Sequence, residues 1–459
     1  MRLAGRRSLN RAIWTLALGL VVVFCAGGIC EEVKNLSLKE AIRTALENNL
    51  GLKRTQEAVI GSKAVVGEVR SEWYPGLNLS LGMGFDETLS VAGEPQTFEF
   101  LGQTYEIHPP LTSQWSNSLC LGLSQNIYTG GRLTGSLREA EANLRIAECD
   151  HETAKRGLIL EVMKAYWELV RADLLVRLAE EMVSYHQETL ELATSRLSQG
   201  TIAPVEVEQA KVDLANQRDE LIQARTRRRE VEDELKVLLN IGFKIGIVPT
   251  DKPDFTPLSR IIDMDEAIEC ALKRRPELAR FRHQVQARKA ALMAAKSGRY
   301  PKVSVVANYG WAGMDKDYAD ALQNFKATRW GIGLNVNYAL FDGGLTQSRI
   351  KEAESGLARA EYGRTEKEKE IVKEVREAFH RLTSASERIE TMRENVGLAQ
   401  ENLRIAKLQF NVGTITSNDV NEYKTTLSKV KTRFIEAIID YQIARARFNW
   451  AVGIAMEAQ

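Results

Sequence analysis

The strongest constraint on this chain is that most of it is written twice. Glu40-Ala41-Ile42 with Ala45-Leu46 returns as Glu266-Ala267-Ile268 with Ala271-Leu272, and Trp73-Tyr74-Pro75 as Arg299-Tyr300-Pro301, both at an offset of 226. Further on the offset is 213. There Tyr128-Thr129-Gly130-Gly131 matches Phe341-Asp342-Gly343-Gly344, Glu139-Ala140-Glu141 matches Glu352-Ala353-Glu354, and Gly200-Thr201-Ile202 matches Gly413-Thr414-Ile415. Five matches in order mark a tandem duplication. The first structural repeat is 29–242 and the second 262–453. A linker at 243–261, marked by Pro249, Pro253 and Pro257, joins them, and a tail follows at 454–459. The change of offset makes the first copy 13 residues longer, around Glu87–Thr112.

Each copy reads as helix, two strands, very long helix, turn, helix. In the first, Leu77, Leu79, Leu81, Met83 and Phe85 alternate with Asn78, Ser80, Gly82, Gly84 and Asp86. Trp115, Asn117, Leu119, Leu121 and Leu123 then alternate with Ser116, Ser118, Cys120, Gly122 and Ser124. In the second copy one row is Val303, Val305, Ala307, Tyr309 and Trp311, and the other is Trp330, Ile332, Leu334, Val336, Tyr338 and Leu340. A period of two predicts strands with one apolar face. A soluble sandwich usually charges its outer face. Here the second face is Gly, Ser and Asn, and aromatics gather toward the strand ends, which is the pattern of a membrane barrel. Strands of about 10 residues fit the hydrocarbon thickness when tilted. Four strands cannot close a barrel, because the smallest membrane barrels have about 8. Other subunits must complete it, and three copies supply twelve strands.

After the second strand of each copy comes an unbroken heptad seam. From Leu133 it steps through Leu137, Ala140, Leu144, Ala147 and His151, and later through Val176, Ala179, Val183, His186 and Leu190, with one four-four step from Leu158 to Val162. The second copy repeats it from Ile350 through Ile371, Val375, Ala378, Leu382, Ile389 and Ala399 to Phe410. Such a seam predicts coiled-coil packing, locally unwound at the stutter. Some 66 residues at 1.5 Å each make a rod of roughly 100 Å. Alternation of large residues with Ala lets helices approach closely on a multi-helix surface.

Arg2, Arg6, Arg7 and Arg11 precede an apolar run from Ile13 to Cys25 and the small residues Ala26-Gly27-Gly28, so 1–28 reads as a secretory signal peptide. A membrane anchor is the rival, but the run falls short of the ~20 residues a spanning helix needs. Ile29 and Gly27-Gly28 fit a lipoprotein signal at Cys30 badly. Lys plus Arg is 62 against 61 acids, and that balance argues against a nucleic-acid partner. Cys120, Cys149 and Cys270 show no metal or disulfide spacing. His108, His151, His186, His283 and His380 are scattered. HExxH, Walker-type and GxSxG motifs are absent from the sequence, so it offers neither a catalytic site nor a cofactor or metal site.

The leader, the duplication, the Tyr-Pro turn opening the first strand of each copy, and Phe341-Asp342-Gly343-Gly344 leading into the long helix together resemble the TolC family of outer-membrane efflux channels. The resemblance covers essentially the whole chain after the leader. It implies a mixed α and β fold: tandem-duplicated coiled-coil helices forming a trimeric α-barrel in the periplasm, and four strands per chain entering a shared twelve-stranded transmembrane β-barrel. It implies a homotrimer in outer-membrane lipid, docked onto a periplasmic adaptor (membrane fusion protein) and an inner-membrane pump. The 13 extra residues would then lengthen an extracellular loop, where insertion is tolerated.

The resemblance also places a gate at two helix-turn-helix tips, Gln199–Val205 and Val412–Val420. Asp419 and Glu422 occupy the positions of family carboxylates that ring and narrow the pore. Their i, i+3 spacing puts both on one helix face, and carboxylate rings favour cations. A first-turn capping role for Asp419 is the competing reading, compatible with the first. Glu206 stands at the matching position of the first copy, with Gln209 in place of the second acid. Gly200, Thr201, Gly413 and Thr414 become the adaptor-contact tips. Phe410 and Ile415 depart from the aromatic and basic pair that often locks the closed tip. The reading is therefore a passive trimeric exit duct of a tripartite efflux or type I secretion system. The alternative is a periplasmic coiled-coil scaffold or adaptor without a pore. A secreted enzyme would need a convergent polar cluster that the sequence lacks.

Overall fold

The computed structural model describes residues 33–88, 96–100, 102–107, 112–253, 263–323, 327–412 and 414–454. The leader with Cys30, His108, Pro257 and Gly413 lie outside the described residues. The elements in order are β1 (Val33–Leu36), α1 (Leu38–Asn48), α2 (Leu50–Ser71), β2 (Gly76–Thr88), β3 (Gln96–Phe100), β4 (Gln103–Ile107), β5 (Thr112–Tyr128), α3 (Arg132–Ser198), α4 (Pro204–Leu239) and β6 (Gly246–Pro249). They continue with α5 (Met264–Arg274), α6 (Pro276–Lys296), β7 (Lys302–Asp315), α7 (Tyr318–Gln323), β8 (Ala327–Asn337), α8 (Leu345–Asn411) and α9 (Ser417–Val452). The described residues form two compact units, one falling within 1–53, 154–274 and 371–459, the other within 54–153 and 275–370, and each draws on both copies of the duplication.

The second unit carries the sheet, ordered β2-β5-β7-β8 with every neighbour antiparallel. Its register aligns Leu79 with Leu121, Tyr309 and Trp330, and Leu77 with Leu123, Ala307 and Ile332, so one face is apolar across all four strands. The opposite face aligns Asn78, Gly122, Asn308 and Gly331, and Gly82, Ser118 and Ala312. Many of the apolar side chains are not covered: Leu79 is 67% exposed and Ile332 77%. Asn117 interrupts the apolar row, opposite Met83 and Gly313. It is buried, with no hydrogen-bond partner for its side-chain amide among the described residues.

Three strand details differ from the sequence reading. β8 ends at Asn337, so Tyr338 and Leu340 fall in the turn that leads to Gly343 rather than in the strand. The longer loop of the first copy contains a hairpin, β3 with β4. A parallel ribbon of β1 and β6 had no periodic signal, because each strand is four residues long.

Both strand-to-helix turns use two consecutive positive-φ glycines, Gly130 and Gly131 (φ 62° and 91°), and Gly343 and Gly344 (φ 65° and 88°). A Cβ on Gly130 would also lie 2.8 Å from the Ser297 carbonyl oxygen, so glycine is required there twice over. Asp342 caps the second turn by accepting from the Gly344 and Thr346 amides at 3.0 and 2.8 Å. The Thr129 hydroxyl accepts the Leu133 amide at 3.3 Å in the first.

α3 and α8 each run 67 residues. Seam residues Leu158, Val162, Leu169, His186, Ile371, Val375, Leu382 and Ile389 are buried. Between Leu158 and Val170, α3 also buries Ile159, Leu160, Met163, Tyr166 and Trp167, well outside a heptad stripe. The first unit supplies the cover there, with Leu36, Ala41, Ala45, Val231, Leu235, Leu239, Ile247 and Ile439. Polar ties secure this core. The Tyr166 hydroxyl donates to Asp251 Oδ2 at 2.7 Å, accepts the Asp251 amide at 3.2 Å and lies 3.1 Å from the Leu36 carbonyl oxygen. Burial first, then Asp251, holds its pKa far above the usual phenol value. Glu232 accepts the Ile247 amide at 2.9 Å and is flanked by Arg228 and Lys236 at 2.9 and 3.0 Å, which joins β6 to α4.

Tyr166→Phe keeps the packing but leaves the Asp251 amide without its acceptor and takes one of two donors from Asp251 Oδ2, which keeps the Leu38 amide at 2.7 Å. The expected loss is about 1–2 kcal/mol of stability, read as a lower melting temperature of the detergent-solubilised protein.

Candidate functional site

The two hairpin tips of the first unit close in the same way. At the α3–α4 turn the Thr201 amide and hydroxyl both donate to the Arg196 carbonyl, at 3.0 and 2.9 Å, with Gly200 at φ 71°. At the α8–α9 turn the Thr414 amide and hydroxyl both donate to the Gln409 carbonyl, at 3.0 and 2.9 Å. Each threonine thereby satisfies a carbonyl that the helix end leaves open. Gly200, Thr201 and Thr414 are exposed, as are the neighbouring Val205 and Val412.

α4 starts on Pro204, which needs no amide partner at a first helical position. α9 starts on a capping box. The Thr416 hydroxyl accepts the Asp419 amide at 3.2 Å, while Asp419 Oδ2 accepts the Thr416 amide at 2.7 Å and its hydroxyl at 2.8 Å. The Thr416 amide first, and then its hydroxyl, hold the Asp419 carboxyl below the usual carboxylate range. The capping role weighed for Asp419 is therefore occupied by one carboxylate oxygen.

Asp419 and Glu422 line one groove of about 540 Å³, with Asn395 and Asn402 of α8 across from them and Ile415 and Tyr423 beside them. The structure brings these two acids together. It does not bring Glu206 to them within the chain. Glu206 lines a separate pocket of about 140 Å³ with Tyr185, Glu188, Arg196 and Phe410. Gln209 is engaged on its own helix, donating to Asp213 at 2.8 Å.

Phe410 and Ile415 find apolar work. Both pack on Ala399, Leu403, Val420 and Leu427, and the Arg196 guanidinium sits 5.0 Å from the Phe410 ring centroid. Links between hairpins that the sequence reading missed lie higher on the helices. Tyr185 of α3 donates to Asn421 of α9 at 2.9 Å and carries the Lys424 ammonium 5.0 Å from its ring centroid. Glu181 meets Lys431 at 3.2 Å. Asp440 takes Arg171 at 2.6 Å and Arg388 at 3.1 Å. Burial lowers the Lys424 pKa, with Lys431 adding repulsion, and burial raises that of Tyr185. His186 is buried beside Tyr185, and burial lowers its pKa despite Asp213 and Glu220. His151 bonds Thr55 at 2.9 Å. Among the described residues no group of His, Cys, Asp and Glu is arranged to hold a metal ion. No described helix is long and apolar enough to cross a membrane.

Two blocks of the chain, residues 41–240 and 267–453, match the family model described as outer membrane efflux protein. The chain belongs to that family. Membership places it in the outer membrane, among efflux proteins. The solvent efflux pump outer membrane protein SrpC of Pseudomonas putida is 26% identical over 331 residues, covering 71% of this chain and 65% of that protein. The chain thus spans a little under two thirds of that relative's length. The outer membrane protein TolC of Vibrio cholerae is 24% identical over 340 residues, covering 73% of this chain and 72% of that one. In fold, the outer membrane protein VceC of Vibrio cholerae aligns with a TM-score of 0.76 over 91% of this chain and 96% of that chain, at 18% identity.

Because Asp419 titrates from a lowered value in the folded state, the stability its capping box contributes is complete above the ordinary carboxylate pKa near 4. It is lost as pH falls through the lowered folded value. Thr416→Ala removes the hydroxyl but keeps the amide, so it should raise the Asp419 pKa only part of the way to the ordinary range and fray the first turn of α9. Carboxyl NMR titration and amide exchange at Val420 and Asn421 check this.

Proposed function

We propose that this protein is the outer-membrane channel of a tripartite exporter, a passive exit duct for substrates that an inner-membrane pump delivers through a periplasmic adaptor. Three copies close one twelve-stranded β-barrel, and their long helices continue it as a hollow α-barrel through the periplasm. The leader 1–28 is removed, and the repeats 29–242 and 262–453 each supply two strands and one hairpin tip.

The observation that carries this reading is the sheet. One face is apolar across all four strands, broken at Asn117 and with Leu77, Leu79, Leu81, Ile332 and Leu334 exposed, and its other face is mostly Gly, Ser and Asn. Neither β2 nor β8 has a second neighbour among the described residues. With all neighbours antiparallel across four strands, β2 and β8 run in opposite directions. The β8 edge of one copy is therefore matched to the β2 edge of the next, and rotation about a threefold axis repeats the match until the ring closes. Closure satisfies the open edges, and hydrocarbon covers the leucines. A coiled-coil scaffold without a pore leaves both surfaces in water.

At the tips, Asp419 and Glu422 are the gate residues, each repeated threefold around the pore, with Glu206 contributing from the first-copy tip. Gly200, Thr201, Gly413 and Thr414 present the adaptor contact, next to the exposed Val205 and Val412. The Tyr185, Glu181 and Asp440 ties between hairpins hold the tips together, and opening requires them to part. The pump selects the cargo.

Purified protein reconstituted in planar bilayers should conduct, and Asp419→Ala with Glu422→Ala should lower cation over anion selectivity. A folded trimer that never conducts defeats the channel reading; unchanged selectivity in the double variant defeats only the gate assignment. Leu79→Lys puts a charge on the hydrocarbon face and should cost about 2–4 kcal/mol near the membrane midplane. A sharp fall in trimer recovered from the membrane fraction measures it, while Ser80→Lys on the opposite face should be recovered at a higher level.

A further inference from the structure

The second unit holds a groove of about 970 Å³ walled by α2, α3 and α6. Its rim is cationic: Lys63 and Arg70 of α2, Arg138 and Arg145 of α3, and Lys289 of α6 face one carboxylate, Glu141. Arg70 lies 3.7 Å from Glu141, and Arg145 pairs with Glu148 at 2.9 Å. Lys63, Arg138 and Lys289 meet no carboxylate among the described residues. The floor is apolar, built from the buried Val66, Ala142 and Ala290 with Met293 beside them. Arg138 Nη1 is 3.9 Å from the Met293 sulfur, so the arginine stem lies along that floor. Concentrating unpaired like charges in a concave wall raises the local potential and favours an anion.

Position narrows the class of anion. α2 and α6 run into β2 and β7, and α3 follows β5, each through a short turn. Arg138 is six residues past the start of α3, about 9 Å along the axis. That distance is comparable with the headgroup layer that borders the hydrocarbon core. The groove draws all its lining from α2, α3 and α6 of one chain, so it is formed within a protomer.

We infer that this groove holds an anionic phospholipid of the periplasmic leaflet, its phosphate on Arg138 and Lys289 with Lys63 within the same field, and an acyl chain along the Val66–Ala142–Ala290 floor. The inference rests on the sheet lying in the membrane, as proposed above. The ligand chemistry, phosphate, is shared with free inorganic phosphate; the apolar floor and the position beside the membrane favour the lipid.

The test uses the full-length protein in nanodiscs of phosphatidylethanolamine with a minority of phosphatidylglycerol, released into detergent and weighed by native mass spectrometry. Retained phosphatidylglycerol, enriched over its share of the disc, is expected for the wild type. Lys63→Gln, Arg138→Gln and Lys289→Gln together should lower that retention at least about tenfold. A control triple, Lys39→Gln, Lys244→Gln and Lys351→Gln, should leave it unchanged. Equal retention in both triples, or no preference over phosphatidylethanolamine in the wild type, overturns the inference. Displacement of the lipid by millimolar inorganic phosphate overturns the lipid and assigns a small-anion site instead. Bilayer conductance of the same preparations separates the two claims: current without lipid preference leaves the channel standing and removes the groove, whereas no current removes the membrane reading on which the groove depends.

Discussion

The proposed contact between the apolar face of the four-stranded sheet and hydrocarbon is the interaction on which the rest depends. Leu77, Leu79, Leu81, Ile332 and Leu334 stand open on a face whose reverse is glycine, serine and asparagine. In water such a sheet is a template for aggregation at its face and at both of its edges. In a bilayer the same face is solvated, and the only stable treatment of the backbone edges is closure. Four strands are too few to close, the proposed threefold assembly supplies twelve, and antiparallel neighbours make the closing pair geometrically equivalent to the pairs within the chain. The proposed duct is a consequence of that closure, because the polar face is then turned inward.

The glycine pairs after β5 and before α8 convert strand direction into helix direction at equivalent places in the two copies. From there the helices depend on different interactions along their length. Where α3 passes Leu158–Val170 it is surrounded, and the buried Tyr166 and Glu232 with the half-buried Asp251 pin the short β1–β6 ribbon and its neighbours. Nearer the tips the buried residues thin to small sets, Leu403 and Leu427 on one hairpin and Val207, Ala210 and Leu214 on the other, and many ties are single hydrogen bonds, ion pairs and cation–π contacts at exposed or half-buried sites. Contacts of that kind are individually weak. A segment held by a few weak contacts is where a helical assembly opens at low cost, which fits a gate at the tips.

Strand rows and heptad seams were legible because each is a periodic requirement. Every second residue of β2 must meet the same solvent, and every seam residue of α8 must meet the same neighbour. The β1–β6 ribbon was not legible, since four residues cannot show a period. The hairpin β3–β4 was hidden for a related reason: its five-residue strands sit in a loop whose length alone marked it as an insertion. At the site, the pairing of Asp419 with Glu422 followed from helical spacing, and their shared groove agrees with it. The separation of Glu206 from both did not follow, because equivalence under the duplication says nothing about which groove a side chain enters. Tyr185, Asn421 and Lys424 were missed because their contact joins α3 to α9, and the residue equivalent to Tyr185 in the second copy is Leu398, so no repeat signal marks it.

By itself, the sequence determined the duplication, the two kinds of periodic element, their order, and the need for a non-aqueous partner on one strand face. These are properties of residues near one another along the chain, and local spacing reports them. Only the tertiary structure decided the strand order β2-β5-β7-β8, the commitment of one Asp419 oxygen to Thr416, the ties at Tyr185 and Asp440, and the gathering of Arg138, Lys289 and Lys63 around one apolar floor. Each depends on which elements from distant parts of the chain lie side by side, and packing of whole helices and strands, rather than the preference of any one segment, sets that choice.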